Sequence, residues 1–238
     1  PLARVLTLCL CVAGCSDSGG PGPGVAPRAY ELIYEGYLLG TPEILRLDTA
    51  GGRPPTRLLP AGTLAMDPEP SPDGGRVAFV VADNVQSVGD IYVVNRDGSG
   101  RRQLTTSPEL DDSPAWSPDG KRLAFRSYRG GHDGEIWVMN ADGTGAVNLT
   151  PTTGTAVVDN RRPSWSPDGR SIVFASTLGG EWGLWVMSAD GGERRQLTNT
   201  PELDAEPAWS PDGRSIAFRR SGAEGSDILV VSAAGGEP

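Results

Sequence analysis

Apolar and polar residues alternate over short stretches of this chain. Leu123 and Phe125 fall on one side of such a stretch, with Ala124 and Arg126 on the other. Ile172 with Phe174, and Ile216 with Phe218, repeat the arrangement. A period of two predicts strands with one face turned to a core. Further strands are predicted at 91–95, 136–140, 184–188 and 228–232, and short ones at 101–105, 147–150 and 194–198. A segment such as 114–117 precedes each alternating stretch and carries Trp116, Trp165 or Trp209, with Pro70 in that place in the first copy. An earlier, looser unit covers 30–34, 43–48 and 56–59 and lacks a recognisable first strand.

The joints between these strands repeat. SPDG begins at Ser71, Ser117, Ser166 and Ser210, at steps of 46, 49 and 44 residues. Its proline presets φ, its aspartate bonds the local backbone and its glycine accepts a positive φ, so it is a turn. Asp-Gly at 97–98, 142–143 and 190–191 is a hairpin signal between third and fourth strands. Each unit is therefore a small antiparallel sheet. One such sheet cannot bury both faces alone, and a fixed period of this size marks stacked repeats. Radial stacking predicts an all-β fold, a β-propeller of four-stranded blades.

The repeat resembles the TolB-type propeller repeat: W-S-P-D-G, an apolar strand, I-[YW]-V-[MV]-[ND], then D-G and a terminal R-x-L-T. The resemblance covers 67–237, and more faintly from Tyr30. It implies a six-bladed propeller in the periplasm. The chain supplies about five of those six blades: one partial, three full and one cut short. It begins with Pro1 rather than Met and ends at 232–238, which matches earlier strand-to-turn segments but stops before their RRQLT piece, so it reads as truncated.

Composition sharpens this picture in two ways. The 33 Gly and 21 Pro fall at fixed places in the repeat, so turns rather than disorder account for them. The net charge is −9, which leaves no electrostatic footprint for nucleic acid. At the N-terminus, Arg4 precedes a short apolar run that ends in Val12-Ala13-Gly14-Cys15. The run is too short for a membrane span and reads as an export signal. Its end resembles the bacterial lipobox, which implies that Cys15 is lipidated and becomes the new N-terminus. The expected organisation is a signal peptide at 1–14, a lipidated Cys with a flexible Gly/Pro/Ser tether at 15–27, and the propeller at 28–238. Cys9 and Cys11 would leave with the signal, so neither a disulfide framework nor thiol catalysis is expected.

Candidate chemistry is sparse. The chain has one histidine, His132, in a loop between second and third strands, with no G-x-S-x-G elbow beside it. No catalytic residue is assigned. Asp111, Asn160 and Asp204 each lie five residues before a repeat tryptophan, with Asp112, Asp159 and Glu206 beside them. These positions open the innermost strands and would meet at one mouth of the central channel. Such oxygen donors could hold a hard cation such as calcium, or attract a cationic peptide. Alternatively they cap loops and stay solvated, and no spacing here matches a defined calcium loop. No other cofactor is expected. The pairs Arg101-Arg102 and Arg194-Arg195 sit at the outer rim, as readers of an acidic partner or as a solvated face. Trp182 stands in a loop, outside the repeat's Trp position, as a contact residue or as packing over the blade end.

Two functions fit. One is a non-catalytic propeller lipoprotein of the bacterial envelope, anchored to the membrane through its lipid and binding envelope proteins or peptides. The other is the substrate-filtering propeller of a prolyl-oligopeptidase-like or dipeptidyl-peptidase-like hydrolase, whose catalytic domain would follow residue 238.

Overall fold

The computed structural model describes residues 8–9, 31–38, 40–49, 53–82, 88–131, 133–152, 157–223 and 225–236. Five antiparallel sheets follow one another as blades. Blade 1 holds β1 (Leu8–Cys9), β2 (Glu31–Leu38), β3 (Thr41–Asp48) and β4 (Thr56–Arg57). Blade 2 holds β5 (Ala65–Pro70), β6 (Arg76–Ala82), β7 (Gly89–Asn95) and β8 (Arg102–Gln103). Blade 3 holds β9 (Asp111–Trp116), β10 (Arg122–Ser127), β11 (Glu135–Asn140) and β12 (Val147–Asn148). Blade 4 holds β13 (Asn160–Trp165), β14 (Ser171–Ser176), β15 (Gly183–Ser188) and β16 (Arg195–Gln196). Blade 5 holds β17 (Leu203–Trp209), β18 (Ser215–Gly222) and β19 (Gly225–Ser232).

The expected strands are present, with two adjustments. The fourth strands keep only two residues. In blades 2–4 the leucine that follows them, Leu104, Leu149 or Leu197, is buried. The next residue, a threonine, accepts the main-chain N–H of Ile91, Ile136 or Leu184 on its hydroxyl at 2.8–2.9 Å. In blade 1, the missing first strand is supplied by Leu8–Cys9, which pair with Tyr34 and Ile33. The sequence reading placed these two residues in the export signal. An inner strand edge with free N–H and C=O groups is a template for any extended segment in reach. Cys15, the 15–27 tether and His132 lie outside the described residues.

SPDG forms the turn between first and second strands. In the first copy, the Ser71 hydroxyl donates to Asp73 Oδ1 at 2.5 Å and accepts the Arg76 N–H at 2.9 Å. Asp73 Oδ1 also accepts the Gly75 N–H at 3.0 Å. Gly74, Gly120, Gly169 and Gly213 sit at φ 66–70°, where a Cβ would be strained.

The core lies between blades rather than within them. At the boundary of blades 3 and 4, Ala124, Ile136, Val138 and Leu149 meet Trp165, Ile172, Phe174 and Met187. The same places meet at the boundaries of blades 2 with 3 and 4 with 5. Phe79, Phe125, Phe174 and Phe218 are the matching fully buried rings. Trp116 and Trp165 are buried and donate their indole N–H to the Glu69 and Ala115 carbonyls of the preceding blade, at 3.0 and 3.2 Å. Trp209 is only half-buried, and its Nε1 has no partner. Among the described residues no strand of blade 5 packs on blade 1.

Candidate binding mouth of the channel

Two kinds of loop occupy one end of the molecule: the crossovers between blades and the loops joining second to third strands. The SPDG and Asp-Gly turns occupy the other end. At the crossover end the innermost strands share an irregularity. In β5, β9, β13 and β17 the pairing slips by one residue, which is a β-bulge. The bulge residues are Asp67, Ser113, Arg162 and Glu206, at φ 50–56°. Each is followed by a proline: Pro68, Pro114, Pro163 or Pro207. Proline bars the preceding residue from the right-handed helical region and removes a ladder donor, and a bulge tolerates both. The bulge bends the strand and re-aims its side chain. Arg162 Nη1 of blade 4 thereby donates to Asp67 Oδ1 of blade 2 at 2.7 Å. The Asp67 N–H donates to Glu35 Oε2 of blade 1 at 3.2 Å.

The acidic candidates do open the inner strands, but arginines meet most of them. Asp111 is wholly buried and accepts Arg129 Nη2 at 2.5 Å. Asp112 accepts two hydrogen bonds from Arg126, its cross-strand neighbour. Asp204, also wholly buried, accepts Arg220 at 2.7 and 2.9 Å. Glu206 pairs with Arg219 at 3.3 Å. Asn160 donates to the Gly134 carbonyl at 3.2 Å. Asp111 Oδ1, beside the oxygen that Arg129 meets, and Asp159 Oδ1 are buried without a partner, and among the described residues Asp159 is met by no arginine. For Asp159, burial pushes the carboxyl above the ordinary value of 3.8, against the pull of Arg126 and Arg161. The mouth is therefore a charge-paired lattice rather than a ring of bare carboxylates. Among the described residues no group of three or more His, Cys, Asp or Glu side chains is arranged to hold a metal.

Sequence reasoning missed these arginines. The signal was their place at the end of the second strands, opposite the acids in register: Arg126 with Asp112, and Arg220 with Asp204. Opposite charges directly across a sheet stabilise it.

The rim arginines reach carbonyls rather than solvent alone. Arg102 donates to the Asp142 and Ala141 carbonyls of the next blade at 2.8 and 3.4 Å. Arg195 reaches Ala233 and Ala234 of blade 5 in the same way, at 2.5 and 3.2 Å. Arg194 turns back to the Leu149 carbonyl, and Arg101 lies over the Tyr92 ring. Trp182 is half-buried against the core between blades 4 and 5. The Arg161 guanidinium lies over its ring, 3.7 Å from the centroid.

Around this mouth several apolar side chains stand out. Tyr37, Val88, Val157 and Leu178 are 43–75% exposed, each in or beside a loop of this end.

Comparison with known proteins agrees with this architecture. The sequence profile of the TolB beta propeller domain matches residues 21–160 and 152–238. A TolB homolog of Chlorobium luteolum is 31% identical over 125 residues, 52% of this chain and 27% of that protein. Dipeptidyl-peptidase 5 of Porphyromonas gingivalis is 40% identical over 65 residues, 26% of this chain and 10% of that protein. The matched stretch thus spans about a quarter or less of these curated relatives. Among solved structures, a protein assigned as TolB from Agrobacterium tumefaciens superposes with a TM-score of 0.73 at 25% identity, covering 87% of this chain and 74% of its own.

Proposed function

Because the chain belongs to the TolB beta propeller domain family, we propose that it is a non-catalytic binding scaffold of the bacterial envelope that holds a protein or peptide partner at the crossover end. The observation that carries this reading is that exposed Tyr37, Val88, Val157 and Leu178 all stand in or beside loops of one end of the propeller. Exposed apolar side chains rimmed by polar ones favour association. Lipidation of Cys15 would remove Leu8–Cys9 from blade 1, leave the inner edge of β2 open, and tether the propeller to a membrane with this end left to meet a partner. No calcium role is needed for it.

The test is site-specific photocrosslinking of the full chain in a bacterial membrane fraction. A crosslinker at Leu178 or Val157 is expected to give discrete adducts, and one at Asp168, on the SPDG end, none. Equal adducts from both ends, or none from either, overturn the reading. Mass spectrometry of the same fraction tests the anchor: a mature N-terminus at any residue other than an acylated Cys15 ends it.

The second reading is a propeller that filters substrates for a hydrolase domain. It is favoured by the match to dipeptidyl-peptidase 5 and by 36% identity over 88 residues to the uncharacterized peptidase YuxL of Bacillus subtilis. A G-x-S-x-G segment encoded in frame after residue 238 would select it.

A further inference from the structure

The four repeats allow a comparison within one chain. Places that the fold dictates carry the same residue in every copy: the SPDG turn, and the proline three residues before its serine. The two places just before that proline do not. They read Met66-Asp67, Asp112-Ser113, Arg161-Arg162 and Ala205-Glu206 on the same bulged backbone. The backbone is repeated and the side chains are not, so the fold does not choose them. Ala205 packs into the core between blades 4 and 5, whereas Arg162 reaches Asp67 two blades away.

Counting partners singles out one of these side chains. Arg126 has Asp112, Arg162 has Asp67 and Arg219 has Glu206. Arg161 has none: among the described residues its guanidinium makes no ion pair and donates no hydrogen bond. Register explains this. Where Asp112 faces Arg126 across blade 3, Arg161 faces Ala175 across blade 4. Nearby Asp159 is felt electrostatically but makes no ion pair with it. Arg161 is also half-buried, so its charge has lost part of its hydration without gaining a counter-ion. Trp182 holds it in place from one face and leaves its in-plane donors unused. A guanidinium fixed on an aromatic plane, with a free donor edge, is shaped for bidentate capture of a carboxylate.

We propose that Arg161, stacked on Trp182, is the anchor for a carboxylate of the bound partner, an acidic side chain or a C-terminus, at the mouth between blades 4 and 5. This rests on the reading of that end as the binding end and narrows its partner to an acidic peptide. The net charge of −9 repels such a peptide overall, so any binding must come from a local site.

The test is calorimetric titration of the full chain with pentaglutamate and pentaglutamine at physiological salt. Pentaglutamate is expected to bind saturably and pentaglutamine not. Arg161→Gln should weaken pentaglutamate at least tenfold, Arg161→Lys should restore part of it, and Trp182→Ala should weaken it several-fold. Arg170→Gln, at the opposite end, should change nothing. A melting temperature within a degree or two of the parent's confirms that Arg161→Gln folds. Equal pentaglutamate affinity in Arg161→Gln, equal binding of pentaglutamine, or no pentaglutamate binding at millimolar concentration overturns the proposal. Adducts at Leu178 that persist in Arg161→Gln would sink the carboxylate anchor yet leave the binding end standing; loss of adducts from the parent sinks the binding end itself.

Discussion

Blade 3 and blade 5 carry third strands of matching register and apolar pattern that meet opposite fates. Ile136 and Val138 of blade 3 are 0% and 8% exposed, because blade 4 packs on them. Ile228 and Val230 hold the matching register in blade 5 and are 73% and 55% exposed. Blade 1 presents the complementary face: Leu32, Tyr34 and Leu47 are half-buried, where Leu123, Phe125 and Met139 of blade 3 are almost fully covered. The strands form alike in both places, because alternation and turns are local. Burial is not local, since it comes from the next blade. Full burial of an aliphatic side chain is worth about 1.5–3 kcal/mol, and the outer face of blade 5 forgoes most of that.

The sharpest way to break this comparison is a matched pair of truncations. Phe174→Ala, at the boundary of blades 3 and 4, should cost about 3–5 kcal/mol by chemical denaturation. Ile228→Ala should cost within about 0.5 kcal/mol, as an exposed site does. A large loss at Ile228 would mean that something covers blade 5 in solution. Charge insertion sharpens the contrast. Ile136→Asp should abolish cooperative folding, whereas Ile228→Asp should leave the melting temperature near the parent's and reduce self-association in sedimentation velocity.

The tryptophans give a subtler pair. Trp165→Phe removes an indole N–H that donates to the Ala115 carbonyl at 3.2 Å, and should cost about 1 kcal/mol beyond the change in packing. Trp209 has no such partner, so Trp209→Phe should lose only packing. Equal losses would show that the hydrogen bond contributes nothing.

The smallest effect should be the same in the two blades. Asp168 and Asp212 have lowered pKa values, first because Ser166 and Ser210 donate to them, then because a main-chain N–H does. A lowered carboxyl pKa adds stability above the ordinary value of 3.8 and loses it as the pH falls through the lowered one. Asp168→Ala and Asp212→Ala should therefore cost a similar small amount at pH 7, and that cost should shrink as the pH falls below 3.8. A cost confined to one of them would mean that the turn depends on its neighbours after all.

Much of the fold was legible because its grammar is local. The SPDG and Asp-Gly turns, the alternating second strands and the third strands all sit near their expected places. The mouth was legible only as a location. Asp111, Asp112 and Asp204 fall where the inner strands open, but their arginine partners emerge from register across the sheet, which spacing along one strand does not reveal. The bulge was hidden for another reason. A positive φ usually announces itself with glycine or asparagine, and here Asp67, Ser113, Arg162 and Glu206 adopt it. The cue was the proline column after them, whose meaning depends on the pairing. Trp182 lies outside the repeat, so no internal copy told whether it packs or projects.

The rim contacts of Arg102 and Arg195 bear on how such a chain can grow. Each arginine grips main-chain carbonyls of the following blade, not its side chains. A stitch that ignores the identity of what it holds places no demand on the neighbour's sequence. A unit copied by tandem duplication would arrive with its own arginine and its own turn, ready to be gripped and to grip. Each copy is then free to diverge where it faces the channel, and the circumference stays fastened while the centre is rewritten.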